Sequence, residues 1–259
     1  SLKWEETNSY NIGLDLALFD NRVELIADAY YKKTDNLLMQ ASLPTYVSGL
    51  IGAPWVNAGA MTNKGVEFTL NTRNILTHDF TWTSGLTFSI NRNEVTKLYS
   101  ESSAISGING NETLTYTMVG EPVGQFYGYK VIGMFKEESD FYKKDADGNF
   151  QLDEAGNRIR IAIPKGQQIS KNGIWVGDYI YEDLHEDGVI DEKDRTFLGN
   201  PAPKFTFGFN NYFAYKGFDL NIFLNGSVGN KAVNLIRRTF TDPMRNSNLL
   251  KEATDIALI

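Results

Sequence analysis

The clearest regularity in this sequence is an alternation of apolar and polar residues with a period of two. From Tyr10 to Leu18 every second residue is large and apolar, and the residues between them are polar or small. Side chains of a β-strand point alternately to opposite faces, so this pattern predicts a strand with one apolar and one polar face. A short turn at residues 19–22 and a second alternating segment from Val23 to Lys32 then predict a β-hairpin.

Two further hairpins show the same alternation on both sides of a short turn. Their alternating segments are residues 66–71, 80–90, 205–213 and 218–225. We therefore predict strand hairpins at about residues 8–39, 61–92 and 203–226, and long loops at about residues 40–60 and 93–202. Outside the hairpins, only residues 234–240 favour a short helix.

The arrangement of turns and loops indicates an antiparallel transmembrane β-barrel, an all-β fold. Short turns at one end, long loops at the other and strands of about nine to eleven residues are typical of bacterial outer-membrane barrels. The polar faces carry Asn, Asp, Thr and Gly rather than the Lys and Glu expected of a soluble sheet. Large aromatic residues lie near strand ends, where a bilayer interface would place them: Tyr31, Phe80, Trp82, Phe213 and Phe218. The alternative is a soluble β-sandwich or barrel whose apolar face is an enclosed core.

Composition narrows the class of protein further. The 259 residues carry a net charge of -7 and no basic cluster, which argues against nucleic acid as a partner. No cysteine is present, so a disulfide framework and a Cys nucleophile are both excluded. The sequence has no run of eighteen apolar residues, so it predicts no transmembrane helix. Its first residues do not resemble a signal peptide. We expect a targeting segment outside this sequence.

Six segments, in order along the chain, resemble the SusC/RagA family of TonB-linked outer-membrane proteins. They are residues 2–15 (LKWEETNSYNIGLD), 28–38 (DAYYKKTDNLL), 57–67 (NAGAMTNKGVE), 119–129 (VGEPVGQFYGY), 199–208 (GNPAPKFTFG) and 215–220 (YKGFDL). A single match of this kind would be weak evidence, whereas six matches in family order are strong evidence. Together they cover nearly the whole chain.

This resemblance implies a function. Proteins of this type form barrels of about 22 strands around an N-terminal plug, in the outer membrane. Their plug side engages TonB–ExbB–ExbD, a SusD-like surface lipoprotein caps the barrel, and the cargo is an oligosaccharide or a peptide. We expect the present residues to be an internal part of such a chain, supplying barrel wall next to membrane lipid and extracellular loops, without the plug or TonB box.

One local motif has the spacing of a calcium loop. Residues 183–194 place possible oxygen ligands at the positions that an EF-hand loop uses, with Gly188 at the sharp turn. The ligand positions are Asp183, His185, Asp187, the Val189 carbonyl, Asp191 and Asp194. His185 is a poor calcium ligand where the family usually has Asn, and Asp194 replaces the longer Glu. The alternative is an acidic surface turn without an ion, and a bound calcium ion would be structural. Residues 145–149 lack the later ligands and predict a polar β-turn.

No motif supports catalysis. His78 and His185 are the only histidines, and the sequence has no nucleophile elbow, P-loop or dinucleotide fingerprint. We therefore predict that the chain is not an enzyme, and we rank a secreted glycan hydrolase below a soluble carbohydrate-binding module and below transport.

Two sets of side chains are candidates for contact with cargo. Four loop aromatics have flat faces that suit a sugar ring, although packing within loops or against the lipoprotein explains each of them as well: Trp55, Tyr116, Tyr127 and Trp175. Polar residues of the alternating segments would line a wet lumen: Asn11, Asp15, Asn71, Asn210, Asp219 and Asn221. Solvation alone explains this second set equally well.

Overall fold

The computed structural model describes residues 2–40, 54–99, 104–109, 112–241 and 248–253. The longer strands are β1 (Glu6–Leu18), β2 (Val23–Gln40), β3 (Trp55–Leu76), β4 (Phe80–Lys97), β5 (Ala104–Asn109), β6 (Glu112–Met118), β7 (Gln125–Tyr129), β12 (Arg195–Gly199), β13 (Phe205–Tyr215) and β14 (Phe218–Val228). The short strands are β8 (Val131–Met134), β9 (Ile163–Pro164), β10 (Tyr179–Tyr181) and β11 (Val189–Ile190). The chain forms two compact units, Ser1–Phe126 with Gly199–Lys231, and Tyr127–Leu198 with Ala232–Ile259.

The first unit contains a six-stranded antiparallel sheet in the order β1-β2-β3-β4-β13-β14. The predicted short turns join β1 to β2, β3 to β4 and β13 to β14. β1 and β14 are the edges of this sheet among the described residues. The predicted all-β, antiparallel fold is therefore confirmed, with an open sheet. The same unit also holds the hairpin of β5 and β6.

The strand register collects the apolar residues on one face of this sheet. One row crosses all six strands and is apolar throughout: Leu16, Leu25, Leu70, Leu86, Phe209 and Leu224. The adjacent row on the opposite face consists of small, polar and aromatic residues: Ala17, Glu24, Asn71, Gly85, Asn210 and Phe223. The alternation in the sequence thus corresponds to two chemically different surfaces.

Among the described residues of the first unit, no layer covers the apolar face. Leu16 is 37% exposed and Leu224 is 56% exposed, although both lie in the row of six apolar residues. None of the buried hydrophobic residues of the described chain belongs to that row. A soluble sandwich would enclose this face, so the uncovered face argues against the soluble alternative.

The strand boundaries differ from the prediction at the ends remote from the short turns. β3 begins at Trp55 rather than near residue 61, and β4 continues to Lys97 opposite Ala60. The extension of β3 (WVNAGA, residues 55–60) is mainly small and apolar, and that of β4 (NEVTK, residues 93–97) is mainly polar, so no alternation marks either of them in the sequence. The region predicted as one loop, residues 93–202, also contains the strands β5 to β12.

The second unit is built of short elements. β8 pairs with β10, β9 pairs with β11 in parallel, and β12 lies beside β7. Phe141 packs between Phe135 and Trp175, with ring centroids 4.8 and 5.5 Å away, and both phenylalanines are buried. A short helix α1 (Leu235–Phe240) begins after Asn234, whose side chain accepts a hydrogen bond from the Arg237 amide. In the described part of the chain, no helix has the length and apolarity needed to cross a membrane.

Candidate functional site

The polar face of the six-stranded sheet is the first candidate surface. The register places all six predicted lumen residues on this face. The Asn71 amide donates to Glu24 at 3.1 Å, in a depression of about 530 Å³ that Arg73 and Asn210 also line. The side-chain oxygens of Asn63 and Asn210 are buried and have no hydrogen-bond partner among the described residues.

A second depression of about 480 Å³ lies on the same face of β1, β2 and β3. The Lys32 ammonium stands 5.4 Å from the ring centre of Tyr30, and the Tyr30 hydroxyl accepts a hydrogen bond from the Asn91 amide at 2.8 Å. Asp28 and Glu67 face each other across β2 and β3 in the same depression. These groups can make hydrogen bonds and ionic contacts with a polar solute, but they form no arrangement that resembles a catalytic one.

The opposite face carries aromatic residues toward both ends of its apolar surface. Toward the short turns, the rings of Trp82 and Phe213 stack with centroids 5.7 Å apart. Toward the other end, Tyr10 and Tyr31 are register partners. Aromatic residues at both margins of an apolar band are typical of the two interfaces of a membrane barrel.

Asn211 is a polar residue on this apolar face, and sequence reasoning missed it. Its side-chain oxygen accepts hydrogen bonds from Trp82 Nε1 at 3.1 Å and from the Ser84 hydroxyl at 2.8 Å. The residue is only 9% exposed, and these two hydrogen bonds satisfy its buried side-chain carbonyl. The bond from Trp82 also fixes the orientation of the indole ring. The doubled asparagine at residues 210–211 was the available signal, because one of two neighbouring residues must face the apolar side.

The four predicted aromatic residues lie in different surroundings. Trp55 is 57% exposed at the start of β3, beside a depression of about 440 Å³ that Lys3 and Asn36 also line. Tyr116 lies in β6 opposite Gln125, and Tyr127 meets Phe197 edge-on at 5.3 Å. Trp175 packs on Phe141. Tyr127 and Trp175 thus take part in loop packing, whereas Trp55 offers an open ring face; sugar contact by any of the four stays a prediction.

The predicted calcium loop has a hydrogen-bond network of its own. The Asp194 side chain is 1% exposed and accepts bonds from the amides of Leu184 at 3.0 Å and Asp191 at 2.8 Å. His185 Nδ1 lies 3.5 Å from the same carboxylate. The amide hydrogen bonds, that of Asp191 above all, hold the pKa of Asp194 below its ordinary value. This carboxylate therefore braces the loop from inside.

The remaining carboxylates of this loop mostly close local turns. Asp183 accepts from the Gly188 amide at 2.9 Å, Asp187 from the Val189 amide at 3.0 Å, and Asp191 from the Lys193 amide at 2.9 Å. Among the described residues, no group of three or more His, Asp or Glu side chains is placed to hold a metal ion. One buried oxygen of Asp183 has no partner there. The calcium site stays a prediction, and binding would require the carboxylates to turn inward.

The polar β-turn predicted at residues 145–149 is confirmed, and a second copy follows eight residues later. Asp145 accepts from the amides of Asp147 and Asn149 at 3.0 and 2.8 Å, and Gly148 takes a positive φ of 86°. Asp153 repeats these bonds with the amides of Ala155 and Asn157. The amide bonds from Asn149 and Asn157 are the largest influence lowering the pKa values of the two aspartates.

The long strands, the uncovered apolar face and the polar opposite face together define the wall of a transmembrane β-barrel. A family model described as "TonB dependent receptor-like, beta-barrel" matches residues 1–248, and the chain belongs to this family. The resemblance to SusC/RagA-type proteins is thereby confirmed. Proteins of this class are receptors and transporters rather than enzymes; the absence of catalysis in this chain stays a prediction.

The chain is similar to several curated proteins and solved structures. TonB-dependent receptor P3 of Formosa agariphila is 37% identical over 90% of this chain and 21% of its own length. TonB-dependent receptor SusC of Bacteroides thetaiotaomicron is 28% identical over 89% of this chain and 20% of its own length. A structure of the RagAB peptide transporter aligns with a TM-score of 0.64 at 23% identity, over 92% of this chain and 23% of that one. The chain thus spans about a fifth of the length of these curated relatives.

Proposed function

We propose that this chain supplies barrel wall and extracellular loops to an outer-membrane importer that works with TonB. The observation that carries the proposal is the uncovered apolar face of the six-stranded sheet. Exposing an apolar surface that crosses six strands to water is unfavourable, whereas contact with membrane lipid is favourable. Membership of the TonB-dependent receptor family supports the transport role. In this role, the polar face lines the lumen and the long connections lie outside the cell.

We further propose an oligosaccharide or peptide cargo and a SusD-like surface lipoprotein as partner. Relatives named SusC and RagAB peptide transporter support this class of cargo and assembly. Exposed hydrogen-bonding groups on the polar face, such as the side chains of Asn11 and Asn71, suit both glycan hydroxyls and peptide amides. Energy coupling through TonB–ExbB–ExbD would act on a plug, and the present residues match the barrel of the family instead.

Fractionation of cells that express the natural full-length chain tests the location. We expect recovery in detergent-extracted outer membrane, with gel mobility that changes on heating, as folded barrels show. A freely soluble, monodisperse protein would overturn the proposal and favour the soluble carbohydrate-binding module.

A growth assay tests the transport role. Deletion of the gene should abolish growth on one oligosaccharide or peptide as sole nutrient, while growth on its monomer persists. A strain in which the SusD-like surface lipoprotein alone is deleted shows whether the cap is required. Unchanged uptake of every oligosaccharide and peptide in the deletion strain would contradict the role.

A further inference from the structure

A row of aromatic and cationic residues crosses the apolar face at the end remote from the short turns. The register pairs Tyr10 with Tyr31, Tyr31 with Lys64 and Lys64 with Arg92, so the four residues lie side by side on β1 to β4. All four are exposed. The rows nearer the short turns on this face are mainly apolar; the next one, for example, is Ile12, Ala29, Val66 and Ile90.

The two cations in this row have no acidic partner. No carboxylate lies within 4.0 Å of Lys64 or Arg92 in the part of the chain that the structure describes. Glu94 lies on the same face one row further out, without an ion pair to either of them. Lys33, also in that outer row, is engaged by Asp35 at 3.0 Å. Like charges directly opposite each other destabilise a sheet, and a bound external anion would offset the repulsion between Lys64 and Arg92.

The Arg92 guanidinium is already oriented by the protein. Its Nη1 donates to the backbone oxygens of Asn91 at 2.8 Å and Pro203 at 3.3 Å. No acceptor among the described residues binds the other guanidinium nitrogens, and a planar fork of donors matches the oxygens of a phosphate. The neighbouring Lys64 supplies a mobile point charge on a flexible stem that can lie along apolar surface.

The depth of the row follows from strand geometry. Trp82, in the aromatic margin near the short turns, and Arg92 are ten positions apart on β4. At roughly 3.3 Å per residue this is about 33 Å, and a strand tilt of about 40° reduces it to about 25 Å along the membrane normal. An apolar band of a membrane barrel is about 25 Å tall, so Arg92 and Lys64 reach the level of the lipid headgroups.

We propose that Lys64 and Arg92, with the Tyr31 hydroxyl beside them, bind a phosphate group of the glycolipid in the outer leaflet. The proposal rests on the proposed function, because only an outer-membrane barrel with its long loops outside brings this row against that leaflet. Charge complementarity selects the headgroup phosphate, and the two tyrosines lie on the β1 and β2 side of it at the interface. The bound lipid becomes part of the outer surface of the barrel wall.

Native mass spectrometry of the full-length protein in detergent tests this site. The probes are bisphosphorylated lipid A and the same lipid after removal of its phosphates. We expect preferential retention of the phosphorylated form. The pair Lys64→Gln with Arg92→Gln should weaken that retention about tenfold or more, because two charge-assisted contacts are lost.

A matched control carries the same change of charge on the polar face. Lys32→Gln with Arg73→Gln removes one lysine and one arginine from β2 and β3 there, and should leave lipid retention unchanged. The conservative variant Lys64→Arg should keep it. Excess inorganic phosphate should not displace the lipid, because the acyl chains hold it in the apolar band.

The outcomes separate the two proposals. Loss of outer-membrane location in the fractionation overturns the proposed function and this site together. Correct location and heat-dependent mobility, with equal retention of both lipids or equal loss in both double variants, overturns the lipid site alone. Displacement by inorganic phosphate would likewise overturn a lipid headgroup as the occupant.

Discussion

Asp194 shows how much one carboxylate can organise in a loop. Its two oxygens accept hydrogen bonds from backbone amides near the start and near the end of residues 183–194, and its own burial is tolerated because these bonds compensate for lost hydration. The EF-hand spacing in the sequence pointed to the importance of this residue but assigned it to an ion. Spacing alone cannot distinguish a carboxylate turned toward metal from one turned toward the backbone.

Replacing Asp194 with Asn should loosen this loop without affecting the sheet. One acceptor becomes a donor that faces a backbone N–H, which costs about 1–3 kcal/mol locally. Amide hydrogen exchange at Leu184 and Asp191 should accelerate, and exchange in β3 should not. Asp187→Asn is the matched control, because Asp187 is exposed and accepts a single neighbouring amide bond.

The same measurement with and without a chelator tests the predicted calcium ion. Faster exchange of the wild-type loop after chelation, reversed by calcium, would support an ion at this spacing. Exchange rates that are insensitive to both would leave Asp194 as a hydrogen-bonding residue only.

The paired aspartate turns should be sensitive to acid. Because amide bonds lower the folded pKa values of Asp145 and Asp153, their stabilising contribution is present above the ordinary pKa of about 3.8. It is lost as the pH falls through the lower folded pKa values. The protection of the Asn149 amide, the slowing of its exchange relative to an unstructured amide at the same pH, should therefore fall below about pH 4. Asp145→Ala should already show this lower protection at neutral pH. Asp147→Ala, whose side chain closes no turn, should behave as the wild type.

At the level of elements, the strands illustrate what a sequence reveals. Period-two alternation predicted β1, β13 and β14 because each presents one face to an apolar and one to a polar environment. It did not reveal the ends of β3 and β4, which carry no consistent alternation. Strands β8 to β11 also escaped, since each has four residues or fewer and is fixed by tertiary contacts.

An introduced charge should destabilise the barrel far more on the apolar face of β3 than on its polar face. Leu70→Arg puts a cation in the middle of the apolar row, where lipid should make it cost about 2–4 kcal/mol. Thr69→Arg adds the same side chain to the polar face of the adjacent position and should cost little. Urea unfolding of the reconstituted full-length barrel, followed by gel mobility, measures both. Equal destabilisation by the two variants would contradict a lipid-facing assignment of Leu70.

At the scale of the whole molecule, β1 and β14 are the edges of the sheet in the part of the chain that the structure describes. β1 has thirteen residues and β14 has eleven, and the backbone groups on the outer side of each have no strand partner among the described residues. Neighbouring strands of a barrel would satisfy these groups. The family assignment, rather than residue patterns, indicates what those neighbours are, because an edge strand does not specify its partner.

The 259-residue polypeptide produced alone should therefore not behave as a folded barrel. Without strands against β1 and β14, its edges and apolar face should drive association in water, and size-exclusion chromatography should find large aggregates. In detergent, its gel mobility should not change on heating. The natural full-length chain is the control, and a stable, monomeric 259-residue protein in water would contradict this prediction.

The pairing of β2 with β3 continues well beyond the Tyr31–Lys64 row, as far as Gln40 and Trp55. Nine positions separate Tyr31 from Gln40, which at the strand rise and tilt used above is about 23 Å of height. In the proposed orientation, the paired ends of β2 and β3 extend outward beyond the level of the lipid headgroups. In that orientation, these strand ends are the part of the described sheet that an antibody or bacteriophage approaching the cell reaches first.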